Sequence, residues 1–172
     1  MLANYASTIC NCLRDVASES ELLLEAVKQA ISEGKQIFII GNGGSLASAS
    51  HIVNDLKKSY SKIYALDSLP MLTALANDFG YDMIFGKQLE GLVGKGDLLI
   101  ALTVSGKSRN IVQAIVYAGT LGANIAVLTG SDSGFLANEF CIRIPSKSYG
   151  IVECCHLEIL HWIADKINKC QS

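Results

Sequence analysis

Five short apolar runs, Gln36–Ile40, Lys62–Leu66, Asp97–Leu102, Asn124–Leu128 and Cys141–Ile144, alternate with longer stretches of helical periodicity. That alternation leaves few folds open. A strand, a helix and a further strand in succession make a parallel crossover, and a parallel sheet is covered on both faces, so its strands read as unbroken apolar runs. The rhythm predicts an α/β fold, a doubly wound five-stranded parallel sheet flanked by helices over 45–60, 70–77, 82–94, 109–121, a short one near 135–139 and a long one over 150–169. Residues 1–34 stand outside the alternation and read as two extra N-terminal helices, with Ser18 or Ser20 as the cap between them. Leu22, Leu23, Leu24, Val27, Ala30 and Ile31 form the stripe of the second, and Gly34 is its stop. Pro70 and Pro145 fall at element edges, and no linker or repeat interrupts the chain. Residues 1–172 therefore read as a single domain.

Composition narrows the classes. Half of the 172 residues are hydrophobic and 17% are charged, against roughly 25% charged in an average soluble domain. The longest apolar stretches, such as Leu98 to Leu102, are far short of the roughly 20 residues that span a bilayer, so no membrane partner is expected. Fourteen Lys and Arg against 16 Asp and Glu give a net charge of −2, and the longest like-charged run is Lys57-Lys58. A nucleic-acid partner is not expected either, because phosphate neutralisation needs a basic face. Met1–Tyr5 has no basic segment leading into an apolar one, which makes the cytoplasm the expected location. The six cysteines include a C-x-C at Cys10 and Cys12 and an adjacent pair at Cys154 and Cys155; neither has zinc-knuckle spacing, and structural thiols are expected. The apolar surplus surfaces in Leu2, Tyr5, Ala6, Ile9, Leu13 and Val16, a stripe on the first helix that would need a cover, and a homo-oligomer is expected from it.

Two loops at strand ends are chemically distinctive. Gly41-Asn42-Gly43-Gly44-Ser45 follows the first strand and opens a helix, so glycine backbone and free helix-start N–H groups meet at one place. It departs from the dinucleotide fingerprint, whose last position falls on Leu46, and no nucleotide cofactor is expected. Thr103-Val104-Ser105-Gly106-Lys107-Ser108 follows the third strand. Its Gly-Lys-Ser ending resembles a P-loop, but the first glycine of that motif would fall on Ala101. Three hydroxyls at a helix start suit one phosphate monoester; the plainer role is a helix cap, which needs only one of them.

The histidines lie on two helices. His51 and Asp55 are four apart on the helix opened by the glycine loop and share a face. Glu153 and His161 are eight apart on the last helix, about 80° round the axis, whereas His156 is about 140° from His161 and points elsewhere. If the two faces converge, two His and two carboxylates could bind zinc, act as acid and base, or do both.

These residues in this order, Gly41-Asn42-Gly43-Gly44-Ser45 with His51, Ala76-Asn77-Asp78-Phe79-Gly80, Thr103 to Ser108, and Glu153 with His156 and His161, resemble the sugar isomerase (SIS) domain family over nearly the whole chain. Within it they are similar to the branch that interconverts sedoheptulose 7-phosphate and D-glycero-D-manno-heptose 7-phosphate. The resemblance implies a homotetramer with active sites shared between subunits, assembled in part by the N-terminal helices, and one zinc ion per site. It implies Asn42, Gly43, Gly44 and Ser45 against the sugar, Asn77 and Asp78 on its hydroxyls, and Thr103, Val104, Ser105 and Ser108 around the phosphate. Metal ligands fall on His51, Asp55, Glu153 and His161, the acid/base pair on Asp55 and His161, and Asp55 and Glu153 also contact substrate. The chain departs from the family at Asp55, where Glu is usual, and at Glu153, where Gln is usual. The segments between Tyr60 and Tyr64 and between Ser148 and Glu153 are shorter. The family leaves open isomerisation of another phosphosugar, a sensor that binds without turnover, and a protein that helps assemble a replication initiator.

Overall fold

A computed structural model of the chain describes residues 1–131 and 140–169. Two N-terminal helices, α1 (Leu2–Asp15) and α2 (Ala17–Ser32), precede β1 (Ile37–Gly41), α3 (Gly44–Leu56) and β2 (Ile63–Ala65). Then come α4 (Leu69–Phe79), a 3₁₀ turn at Tyr81–Met83, α5 (Ile84–Leu89), β3 (Leu98–Thr103), α6 (Arg109–Thr120), β4 (Asn124–Thr129), β5 (Phe140–Arg143) and α7 (Tyr149–Lys169). The five strands form one parallel sheet in the order β2-β1-β3-β4-β5, as the apolar runs predict.

The strands are apolar on both faces because both are covered. Ile37, Ile39, Leu98, Ile100 and Leu102 point into a core shared with α1, α2, α3 and α7, while Phe38, Ile40, Leu99 and Ala101 point into one shared with α5 and α6. The chain leaves β1 toward β2 and later returns to β1's other side as β3. The carboxyl ends of β1 and β3 therefore flank a topological switch point, the crevice where such sheets bind ligands. The Gly41–Ser45 and Thr103–Ser108 loops both leave from there.

Several boundaries differ from expectation. The α1–α2 junction has Val16, not Ser18 or Ser20, at the cap position, and the Ser20 hydroxyl donates back to the Val16 carbonyl at 2.8 Å. The helix expected over 82–94 is a 3₁₀ turn and a six-residue helix. Gly91 takes φ 75° and the Gly94 N–H is drawn to the Asp97 carboxylate at 2.8 Å, which also accepts the Gln36 N–H at 2.8 Å, so this stretch becomes a brace between β1 and β3. The helix expected over 45–60 stops at Leu56, and the one expected over 70–77 runs on to Phe79, where Gly80 ends it at φ 84°. The short helix expected near 135–139 lies outside the described residues.

Candidate active site

At the end of β1 the backbone turns so sharply that a Cβ on Gly41 would lie 2.7 Å from the Ser45 Cβ, and Gly43 sits at φ 52° and ψ −120°, a conformation open chiefly to glycine. This turn brings the start of α3 against α7: a Cβ on Gly44 would meet the Glu153 carboxylate at 3.0 Å. Ser45 is buried beneath the turn.

The second loop wraps the same crevice. Thr103 Oγ1 accepts the Gly106 N–H at 3.2 Å and Ser105 Oγ accepts the Lys107 N–H at 3.2 Å. Each hydroxyl used as an acceptor keeps its hydrogen for donation. Ser108 occupies the cap position of α6, but its side chain makes no cap bond, so the plain capping role is not what its hydroxyl does. The result is a small cleft of about 80 Å³ with Thr103, Val104, Ser105 and Ser108 on one side and Asn42, Ser45 and Glu153 on the other. Hydroxyl donors and a helix start on its walls suit a phosphoryl group.

Asn42 and Asn110 form a reciprocal amide pair, Nδ2 to Oδ1 at 3.0 Å one way and 2.7 Å the other, and the Tyr81 hydroxyl donates to Asn42 Oδ1 at 2.9 Å. The two loops and the segment after α4 are thus tied together. Asn77 and Asp78 are exposed at the end of α4, hydrogen-bonded to each other at 2.9 Å and not lining the cleft. Asn110 and Tyr81 were missed in the sequence. An amide in the otherwise apolar face of α6 was the signal for the first; nothing local marked the second.

The other cluster lies farther along the same two helices. Gly44 beside Glu153, His51 beside His161, and Ser59 bonded to Asn168 at 2.6 Å show α3 and α7 running side by side in the same direction. Asp55 Oδ2 lies 3.6 Å from His51 Nε2 and 3.8 Å from His161 Nδ1, and the two imidazoles meet edge to face at 5.0 Å. The other carboxylate oxygen, Oδ1, accepts from Lys58 Nζ at 3.1 Å. That hydrogen bond, helped by the Lys58 charge and by both histidines, holds the Asp55 carboxyl below its usual range against the opposing effect of partial burial. Convergence of the two helix faces, an open question in the sequence, is realised for His51, Asp55 and His161.

It is not realised for Glu153. Eight residues of α7 rise about 12 Å, and the Glu153 carboxylate lies at Gly44 and not among the donors that His51, Asp55 and His161 bring together. Glu153 stands at the phosphate-sized cleft, and among the described residues its half-buried carboxylate makes no hydrogen bond or ion pair. His156 points away into the core, as its angle predicts, with neither ring nitrogen in a hydrogen bond of ordinary geometry. Burial pushes its pKa down to about 4, with only a weak opposing pull from the Thr129 backbone. Cys12 and Cys155 are buried, and burial pushes the Cys155 thiol up to about 12, the behaviour of structural thiols.

Comparison with known proteins places this architecture. The SIS domain profile matches residues 4–130, and the chain belongs to the sugar isomerase domain family. Within that family it is 33% identical over 166 residues to the phosphoheptose isomerase of Akkermansia muciniphila, covering 91% of this chain and 88% of that one. It is 34% identical over 157 residues to the phosphoheptose isomerase of Coxiella burnetii, covering 84% and 79%. The fold superposes on phosphoheptose isomerase GmhA from Neisseria gonorrhoeae with a TM-score of 0.92 at 26% identity, over 98% of this chain and 95% of that one.

Proposed function

We propose that the chain is an aldose–ketose isomerase of a phosphorylated sugar, interconverting sedoheptulose 7-phosphate and D-glycero-D-manno-heptose 7-phosphate through an enediol. The observation that carries this reading is the pairing, on one pair of helices, of an anion cleft made of hydroxyls and helix-start N–H groups with a His–Asp–His cluster whose carboxylate is held ionised. The relatives' printed names agree with it. Thr103, Ser105 and Ser108 hold the phosphate, and Gly43 and Gly44 let the sugar approach the backbone. Moving the carbonyl between C1 and C2 requires loss of a proton from the carbon bearing the hydroxyl and transfer of a proton between the two oxygens. Asp55 and His161 divide these tasks as base and acid. Their side chains stand side by side, so each can return the proton it takes.

The cluster also suits a metal ion. One donor atom each from His51, Asp55 and His161 lies within 4.8 Å of the others, a nitrogen–nitrogen–oxygen set of the kind catalytic zinc takes with a position left open. Zinc there would supply Lewis-acid polarisation of the substrate oxygen.

One chain does not complete the site. A cleft of about 80 Å³ holds a phosphoryl group, whereas ligand sites usually run to 300 Å³ or more. The fourth ligand candidate, Glu153, is about two helical turns from His161 and is not among the donors that lie together. A second copy packed against the α3–α7 face would enclose the sugar. We therefore take the protein to be a homo-oligomer, a tetramer by family resemblance, with shared sites and with residues 1–34 of a single SIS domain contributing to the assembly. Leu2, at 81% exposed, and Tyr5, at 40%, remain open on α1 for that contact. Among the described residues no helix is long and apolar enough to cross a membrane, in keeping with a cytoplasmic enzyme.

The test is incubation with sedoheptulose 7-phosphate in deuterated water, with and without added zinc. Deuterium should enter the carbon-bound position and the aldose should form. Tight binding of the phosphosugar with no exchange under any metal condition would defeat the enzyme reading and leave a sensor.

A further inference from the structure

Where the first loop meets α6, the amide pair of Asn42 and the buried Asn110 is joined by Tyr81, an exposed side chain from outside both loops and the helices they open. Tyr81 follows Gly80, whose φ of 84° ends α4 and turns the chain back toward the crevice. Beside it Asp82 Oδ2 meets Arg109 Nε at 3.1 Å, so the 3₁₀ turn is pinned to the start of α6 and the Tyr81 hydroxyl is delivered to Asn42. Hydrogen bonding at Asn42 shows what that hydroxyl decides. Two donors, Asn110 Nδ2 at 2.7 Å and the Tyr81 hydroxyl at 2.9 Å, take both lone pairs of Asn42 Oδ1, and one Nδ2 hydrogen goes to Asn110 Oδ1 at 3.0 Å. One Nδ2 hydrogen is left. Asn42 stands in the wall of the phosphate-sized cleft, which neither Asn110 nor Tyr81 lines, so that hydrogen is what the amide has to offer a ligand.

The amide pair alone would be satisfied equally well with both amides turned over, each still donating to and accepting from the other. Asn42 would then offer the cleft an oxygen lone pair, of the same sign as a phosphate oxygen. The phenol breaks the tie: its O–H is a good donor, whereas its oxygen, with a lone pair drawn into the ring, accepts weakly from an amide nitrogen. We propose that Tyr81 is a positioning residue for phosphate recognition, its hydroxyl setting the Asn42 carboxamide so that the remaining N–H donates to a phosphoryl oxygen in the cleft. This role rests on the cleft being the phosphate cradle of the proposed isomerase.

Isothermal titration of the full chain with inorganic phosphate, beside kinetics with sedoheptulose 7-phosphate, tests it. Tyr81→Phe, which removes the hydroxyl and keeps the ring, should weaken phosphate binding and raise KM together, by roughly three- to tenfold, with kcat unchanged. Asp82→Asn frees the same turn from Arg109 and keeps the hydroxyl, so both values should stay near those of the wild type. In an Asn42→Ala background, Tyr81→Phe should have no further effect, because the residue through which it acts is gone. Wild-type phosphate affinity in Tyr81→Phe overturns the positioning role and leaves the cradle standing. An equal loss in Asp82→Asn, or an undiminished one in the Asn42→Ala background, makes Tyr81 a brace of the turn and overturns the role as well. A wild-type protein that binds no phosphate overturns the cradle and this role with it.

Discussion

The two ends of the α3–α7 pair are built in opposite ways. At the loop end Ser45 is buried, Gly41 leaves no room for a Cβ, Gly43 holds a positive φ, and Asn42 is bonded to Asn110 and Tyr81. At the far end His51, Asp55 and His161 keep side-chain exposures of 56%, 25% and 39%, and the Asp55 carboxylate lies 3.1 to 3.8 Å from the polar atoms of Lys58 and the two imidazoles. In the proposed reading, recognition lies at the end that the backbone turn fixes, and the groups proposed to react lie on helix faces where a substitution changes chemistry at little structural cost.

The sharpest break between the ends is kinetic. Asp55→Asn or His161→Ala should lower kcat by roughly 10²- to 10⁴-fold while phosphate affinity stays, whereas Ser105→Ala should raise KM and leave kcat closer to wild type. Steady-state kinetics beside phosphate titration would show this, and a matched loss in both variants would mean the ends do not divide the work.

The core between the ends responds to acid. His156 ordinarily titrates near 6.5 and in the fold near 4. Between those values the unfolded chain binds the proton and the folded chain does not, so this contribution to stability is complete above pH 6.5 and is lost as pH falls toward 4, by up to about 3 kcal/mol. Denaturation across that range should be steeper for the wild type than for His156→Gln.

Rigidity of the loop end is open to a smaller test. Gly41→Ala forces its Cβ into Ser45 and should cost roughly 1–3 kcal/mol, seen as a lowered Tm, while the same change at Gly86, with open space for a Cβ, should not. The mildest effect belongs to Lys58. Its ammonium occupies Asp55 Oδ1 and opposes a second cation, so Lys58→Gln should tighten cobalt or zinc binding a few-fold, as expected for a solvent-screened charge. Chelator competition would read it, and weaker binding would show Lys58 to be an orienting partner instead.

The sheet was legible in the sequence because Phe38 and Ile40 are as apolar as Ile37 and Ile39, a pattern that only a sheet covered on both faces explains. The two loops were legible because their glycines mark a backbone turn and helices begin directly after them. The disposition of Glu153 was not. Eight residues of helix fix both an angle of about 80° and a rise of about 12 Å, but which of the two residues meets His51 and Asp55 depends on how α7 is offset along α3, a tertiary contact with no local signal. The early end of α5 was hidden because Asp97 draws the preceding backbone into a brace, a tertiary contact with no local periodic signal.

The reciprocal amide pair of Asn42 and Asn110 bears on how this chain can vary over time. Its members are 68 residues apart in the sequence, yet each is the other's donor and acceptor. Changing either one alone strands a polar group in the part-buried seam between the loops, at a cost of about 1–3 kcal/mol. Positions 42 and 110 are therefore expected to change together or not at all, and a descendant with a new residue at one should show a matching partner at the other.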